Sequence, residues 1–149
     1  MGKLEAIWIK RAKGGKMDPV DRAEVVTDDG IVGNANRGGR RQVTLIEREV
    51  WQGLMAELGA HLPPETRRAN LMVSGLALKD TRGRTLQVGD VRILIHNETK
   101  PCELMDAACP GLRDATYPEW RGGAYGDVIE GGPVAVGDPV AWEPEEAGA

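Results

Sequence analysis

Only two cysteines, Cys102 and Cys109, and two histidines, His61 and His96, occur among 149 residues. Two thiols do not make a disulfide framework, and in a reducing compartment both are expected to be free. No Cys-x-x-Cys pair and no His-x-x-x-His spacing is present, so the four ligands of a structural zinc site are missing and zinc is not expected. Phenylalanine is absent altogether. The tryptophans, Trp8, Trp51, Trp120 and Trp142, are read as core or rim packing, with Trp120 beside Arg121 also placed to line a pocket. Long apolar runs are lacking as well. The stretch at residues 91–95 is strand-sized and interrupted by Arg92, well short of the roughly 20 apolar residues that span a bilayer. The N-terminus enters an alternating pattern at once, without the apolar stretch and small-residue cleavage site of a secretory signal. A soluble, cytoplasmic protein without membrane association is expected. Nor is there an excess of positive charge: the net charge of −4 argues against nucleic-acid binding by phosphate neutralisation.

The chain has the length of one ordinary domain, enough to bury about two-thirds of the surface of its unfolded form. A single domain over residues 1–149 is expected. Twenty glycines and nine prolines, spread throughout, cut it into short pieces and predict a mainly β fold, a barrel or sandwich with many turns. Strands are expected at residues 4–9, 23–26, 43–46 and 91–95, with shorter candidates at 70–75 and 76–78. Residues 30–39 are expected to run as an extended loop. One longer helix is predicted from Glu47 to about Leu58, with Val50, Leu54 and Leu58 on one face and Trp51 and Met55 beside them. Gly59 is its natural stop and Pro63-Pro64 prevents continuation. A short helix is expected at 103–108, a further turn at 112–115, and a terminal hairpin from 124–130 and 133–142 joined by Gly131-Gly132.

Chemistry gathers round Cys102, in Thr99-Lys100-Pro101-Cys102-Glu103-Leu104, after a strand and at a predicted helix start. A helix N-terminus and Lys100 would both favour its thiolate. A thiolate attacks sulfur or carbon, accepts a transferred sulfur, or binds a soft metal such as molybdenum; a buried cysteine that only packs is the alternative. Arg67-Arg68-Ala69-Asn70 offers two guanidinium forks and an amide, groups that hold phosphate or carboxylate. Gly38-Gly39-Arg40-Arg41 sets backbone N–H groups beside positive charge, in the manner of an anion nest. Arg121-Gly122-Gly123 repeats the theme, and three such segments point to a shared anionic ligand. His96 is read either as a satisfied structural histidine or as a base near neutral pH.

In this order the segments resemble the MOSC domain, the module named after the C-terminal part of molybdenum cofactor sulfurase. The resemblance covers nearly the whole chain. It rests on Gly30-Ile31-Val32-Gly33, Arg41-Gln42-Val43-Thr44-Leu45-Ile46, Arg67-Arg68-Ala69-Asn70-Leu71 with Ser74-Gly75, Leu86-Gln87-Val88-Gly89, Lys100-Pro101-Cys102-Glu103-Leu104, Arg121-Gly122-Gly123, and Gly132-Pro133-Val134-Ala135-Val136-Gly137-Asp138-Pro139-Val140. It implies a β-barrel akin to that of pyruvate kinase, with one longer helix and short helices. It also implies a cysteine, here Cys102, that carries sulfur or ligates molybdenum. Binding of molybdenum cofactor (molybdopterin) would fall on Arg40, Arg41, Arg67, Arg68, Asn70, Lys100 and Arg121. In the sulfur version a pyridoxal-phosphate cysteine desulfurase loads Cys102, and a molybdoenzyme or the cofactor accepts the sulfur. The alternatives are a molybdenum-dependent reductase of N-hydroxylated substrates, supplied with electrons by a separate reductase, and a non-catalytic anion-binding module. Asn34 stands where the family commonly has aspartate. The N-terminal β domain of the larger amidoxime-reducing relatives is missing, which points away from a complete amidoxime reductase.

Overall fold

In the computed structural model, residues 2–12, 15–35, 37–39, 41–99, 111 and 120–144 are described. Alternating apolar residues at the N-terminus form β1 (Gly2–Lys10). Leu4 and Ile7 are both fully buried despite their odd spacing, because a bulge between Leu4 and Ala6 shifts the register by one residue. The apolar run after Gln42 forms β5 (Val43–Glu47), which leads directly into α1 (Arg48–Leu58) and returns as β6 (Leu71–Ser74). β5 and β6 pair in parallel, with Leu45 opposite Leu71; parallel neighbours need a crossover of this length, and the helix supplies it. Gly59, at φ 62 and ψ 30, ends α1 in the left-handed conformation that glycine adopts without a Cβ penalty. The buried face of α1 is centred on Trp51, Leu54 and Met55, with Val50 and Leu58 only half-buried. It is therefore rotated from the predicted Val50-Leu54-Leu58 face, and Trp51, whose indole N–H donates to Leu62 O, is its anchor.

The expected barrel closes. Neighbouring strands run β1, β11 (Pro139–Trp142), β7 (Thr85–Val88), β8 (Val91–Glu98), β9 (Ala124–Glu130), β5 and β6, and β6 pairs again with β1. Closure of seven strands leaves no open edge among them. β2 (Met17–Val20) pairs with the far half of β1, and β3 (Arg22–Val26) sits between β4 (Gly30–Ile31) and β10 (Gly132–Ala135) in a separate three-stranded sheet. The barrel and this small sheet share one apolar core, in which Leu4, Ile31, Leu45, Val73, Leu86, Ile93 and Val140 are inaccessible to solvent or nearly so.

Four expectations are corrected. The terminal hairpin does not form: β10 pairs with β3, and β11 pairs with β7 and β1. The physical cause lies at Gly131, whose N–H donates to Thr27 Oγ1 and which lies so close to Val25 O that a Cβ would stand 2.4 Å away. Residues 76–78 are not a strand, although Leu78 is fully buried. β2 forms at residues 17–20, where no strand was expected, with Pro19 opposite Trp8. The start of the expected 30–39 loop is instead β4, paired with β3. The expected helix at 103–108 and turn at 112–115 lie outside the described residues. Among the described residues no helix is long and apolar enough to cross a membrane.

Candidate functional site

The last described residue before the Cys102 segment is Thr99, just past β8, and it is pinned on three sides. Its N–H donates to Gly123 O at 2.9 Å, its hydroxyl donates to Gly122 O at 2.6 Å, and its carbonyl accepts Arg67 Nη2 at 3.1 Å. Thr99 is 6% exposed, so each of these bonds satisfies a group cut off from water. The two glycines are needed for this approach. A Cβ on Gly122 would stand 2.3 Å from Thr99 O and 3.0 Å from Arg67 Nη2; one on Gly123, at φ 95, would stand 2.0 Å from Leu45 O. Three of the segments singled out from sequence thus meet: the end of the short 3-10 turn Pro64–Arg67, the stretch leading to Cys102, and Arg121-Gly122-Gly123. Arg121 itself reaches α1, where Nη1 lies 3.1 Å from Glu57 Oε2.

The other expected site residues among those described make different contacts. Arg68, with φ 63, turns away from Arg67, and its exposed guanidinium donates to Gly15 O. Asn70 is buried; its Oδ1 accepts the N–H and the hydroxyl of Thr44, while Nδ2 donates to Trp8 O and to Asn34 Oδ1. Two acceptor and two donor positions are all that an amide has. Asn34 Oδ1 also accepts the N–H of Lys10, so this pair ties β1, β5 and β6 together. Arg41 is exposed and lies over the Tyr125 ring, 5.0 Å from its centroid. On the other neighbour of β9, His96 Nε2 is 2.8 Å from Asp127 Oδ2, and the imidazole is 6.1 Å from Tyr125. A bulge in β8 between Ile95 and Asn97 sets the position of His96. Arg40, Lys100, Cys102 and Cys109 lie outside the described residues.

Three residues that matter gave no signal in sequence of the contacts they make. Thr99 is an ordinary strand-end threonine until its three partners, 23 to 32 residues away, are known. Glu47 was readable only as a helix start. It caps β5, and its carboxyl is pushed above the usual carboxylate range by burial and to a lesser degree by Glu49, while a backbone hydrogen bond from Leu78 acts in the opposite direction. Gln42, fully buried, was read only as part of a motif; it donates to Asp28 Oδ1 and Gly39 O and accepts the N–H of Val128, fixing the loop that carries Arg41.

A closed barrel whose polar chemistry sits where the chain enters and leaves its strands defines a small β-barrel protein with its site in the connections, not in the filled interior. The MOSC domain model matches residues 32–141, and the chain belongs to the MOSC domain family. Among solved structures it is similar to the YuaD protein from Bacillus subtilis, 22% identical over 94% of each chain with a TM-score of 0.78. YiiM from Geobacillus stearothermophilus is 16% identical, with 99% of this chain and 78% of that one covered and a TM-score of 0.79. YiiM from Escherichia coli is 17% identical, with 97% and 71% covered and a TM-score of 0.72. At these identities the likeness establishes the fold. None of the curated proteins matches the chain.

Proposed function

We propose that the protein binds molybdenum cofactor and that Cys102 carries sulfur as a persulfide for delivery to the cofactor or to a molybdoenzyme. The observation that supports this reading is the meeting of Arg67 and Arg121-Gly122-Gly123 at Thr99, three residues before Cys102. The donor chemistry fits a pterin phosphate. A guanidinium is always charged and presents a planar fork of N–H donors, the geometry that phosphate accepts, and Arg67 Nη2 is fixed by its bond to Thr99 O. Gly122 keeps that guanidinium pressed to the main chain, where a side chain would displace it. Arg67 would hold the phosphate, with Arg121 and Lys100 adding charge, while Arg68 and Asn70 are committed to other contacts. Bound cofactor would supply a metal centre able to take up sulfur or to exchange electrons.

The sulfur step belongs to Cys102 and is redox-neutral. Its thiolate attacks the terminal sulfur of a persulfide on a cysteine desulfurase; the new S–S bond forms as the old one breaks, and the donor's cysteine leaves as a thiolate. Intact-mass and metal measurements on protein made in a cofactor-competent host, with Cys102→Ala as control, test the reading. A gain of one sulfur at Cys102 after incubation with a desulfurase is expected. Molybdenum retained only with Cys102 present and no sulfur gain would instead make Cys102 the metal ligand of a reductase. If neither occurs and Cys102→Ser behaves as the unaltered protein, only a binding module remains.

A further inference from the structure

We propose that the groove between α1 and the segment following β6 is a second binding site, one that takes an organic amine: a cationic nitrogen on an apolar body. Among the described residues its lining includes Arg121, which the cofactor reading also uses, but not Arg67, so the two sites adjoin at Arg121 and this inference is carried by Glu47 and Gly53.

The groove has a volume of about 380 Å³, within the range of small-molecule sites. One wall is a single face of α1, because Glu47, Val50, Gly53 and Glu57 recur at the three- and four-residue spacing that aligns side chains along a helix. Ten residues at 1.5 Å each separate Glu47 from Glu57, so the wall is about 15 Å long. Val50 and Ala77 make the middle apolar.

Charge distinguishes the two ends. At the far end Glu57 is answered by Arg121 at 3.1 Å. At the near end the half-buried Glu47 carboxylate has lost much of its hydration, and the one backbone hydrogen bond from Leu78 does not offset the loss, since its proton is held more tightly than usual. A bound ammonium would restore what burial removes, through a charge-assisted hydrogen bond at the end of an apolar channel. Glu49, two residues on and outside the groove, adds to the negative field at Glu47. Lys79 and Arg121 also line the groove, Arg121 being paired with Glu57 at the far end.

Gly53 gives independent support. Glycine inside a helix costs stability relative to alanine. Here φ is ordinary, and an added Cβ would meet no atom within 4 Å, so nothing in the fold requires glycine. Glycine leaves the groove floor unfilled at this point.

Isothermal titration with 2-phenylethylamine, its neutral isostere 2-phenylethanol and the anion phenylacetate tests the assignment. The amine is expected to bind about tenfold more tightly than the alcohol, the ratio that one charge-assisted contact supplies, and phenylacetate more weakly than either. Glu47→Gln removes the preference for the amine. Gly53→Leu fills the floor and abolishes binding, while Gly53→Ala, which favours the helix, weakens it less; melting temperatures confirm that each variant is folded. Failure of the amine to bind, equal binding of amine and alcohol, or unchanged binding in folded Gly53→Leu would each overturn the proposal. None of these outcomes bears on sulfur loading or metal content at Cys102.

Discussion

Arg67 and Arg68 are neighbours in the chain and opposites in the structure. Arg67 turns inward to Thr99 O, 32 residues ahead; Arg68 turns outward to Gly15 O, 53 residues back. The divergence comes from one backbone angle. At φ 63 Arg68 is in the left-handed region, where the 3-10 turn gives way to the approach to β6, and successive side chains are sent to different sides of the connection. A doublet of arginines that reads as one bidentate anion clamp is thus two tools: one braces the stretch leading to Cys102, the other ties down the connection between β1 and β2.

The comparison depends on the turn being held, and the hold is Asn70. Asn70→Ala removes four hydrogen bonds from a buried site, two with Thr44 and one each with Trp8 O and Asn34 Oδ1. A loss of about 3 kcal/mol in urea unfolding is expected, since buried polar groups left unsatisfied each cost about 1–3 kcal/mol and relaxation recovers part. This is the largest effect and should disturb both arginines together. Next comes Gly122→Ala, which strikes only the Arg67 side. With a Cβ 2.3 Å from Thr99 O the main chain must shift, at a cost of about 2 kcal/mol typical of overpacking. Retention of molybdenum cofactor, read by metal content, is expected to fall with it, and the Arg68 contact should be untouched.

Both arginines could be picked from sequence and their divergence could not, which is a question of range. The barrel was legible because alternation in β1 and β8, the helical period of α1 and the glycine stops are local signals. Cys102 and Arg121-Gly122-Gly123 were legible as motifs, and Arg67 as half of a pair. What escaped detection was set by partners far along the chain. Asn70 resembles a ligand-binding amide until Trp8, 62 residues earlier, claims its donor. Gly131-Gly132 resembles a hairpin turn, yet the approach of Val25 and Thr27, more than 100 residues away, sends β10 into the small sheet. Residues 15–20, with their lysine, proline and aspartate, show no strand period; β2 exists because β1 is long enough to offer Ile7–Lys10 as a template after its earlier part has paired with β6 and β11.

Single substitutions sharpen the contrast directly. Arg67→Gln is expected to cost about 1–2 kcal/mol, the worth of a hydrogen bond from a charged donor, and to weaken cofactor retention beyond what stability explains. Arg68→Gln, at an exposed site, should change stability by less than about 0.5 kcal/mol and leave retention as it was. Equal loss of retention in the two variants would restore the single-clamp picture. Arg67→Lys separates charge from fork: it keeps the positive charge but loses the planar donor set, so it should recover stability more fully than retention.

The smallest effect concerns two carboxylates whose surroundings act in opposite senses. Burial raises the pKa of Glu47 above its unfolded value, so the folded state holds that proton more tightly than the unfolded state does. Its contribution to stability is therefore complete in acid and is lost as pH rises through the folded value. The Glu143 carboxyl is lowered by its paired hydrogen bonds with Arg92, Nη2 to Oε1 at 2.8 Å and Nε to Oε2. Its contribution is present above the ordinary carboxylate range and is lost as pH falls through the folded value. Glu47→Gln should accordingly melt above the unaltered protein at neutral pH, the difference closing as pH falls from the raised folded value to the ordinary carboxylate value. Glu143→Gln should melt below it at neutral pH, with the gap closing in more acid solution, as pH falls from the ordinary carboxylate value through the lowered folded one. Thermal melts of the three proteins at matched pH values give both slopes. Parallel slopes would mean that Glu47 keeps its hydration, and the uncompensated charge at the head of the groove would then be absent.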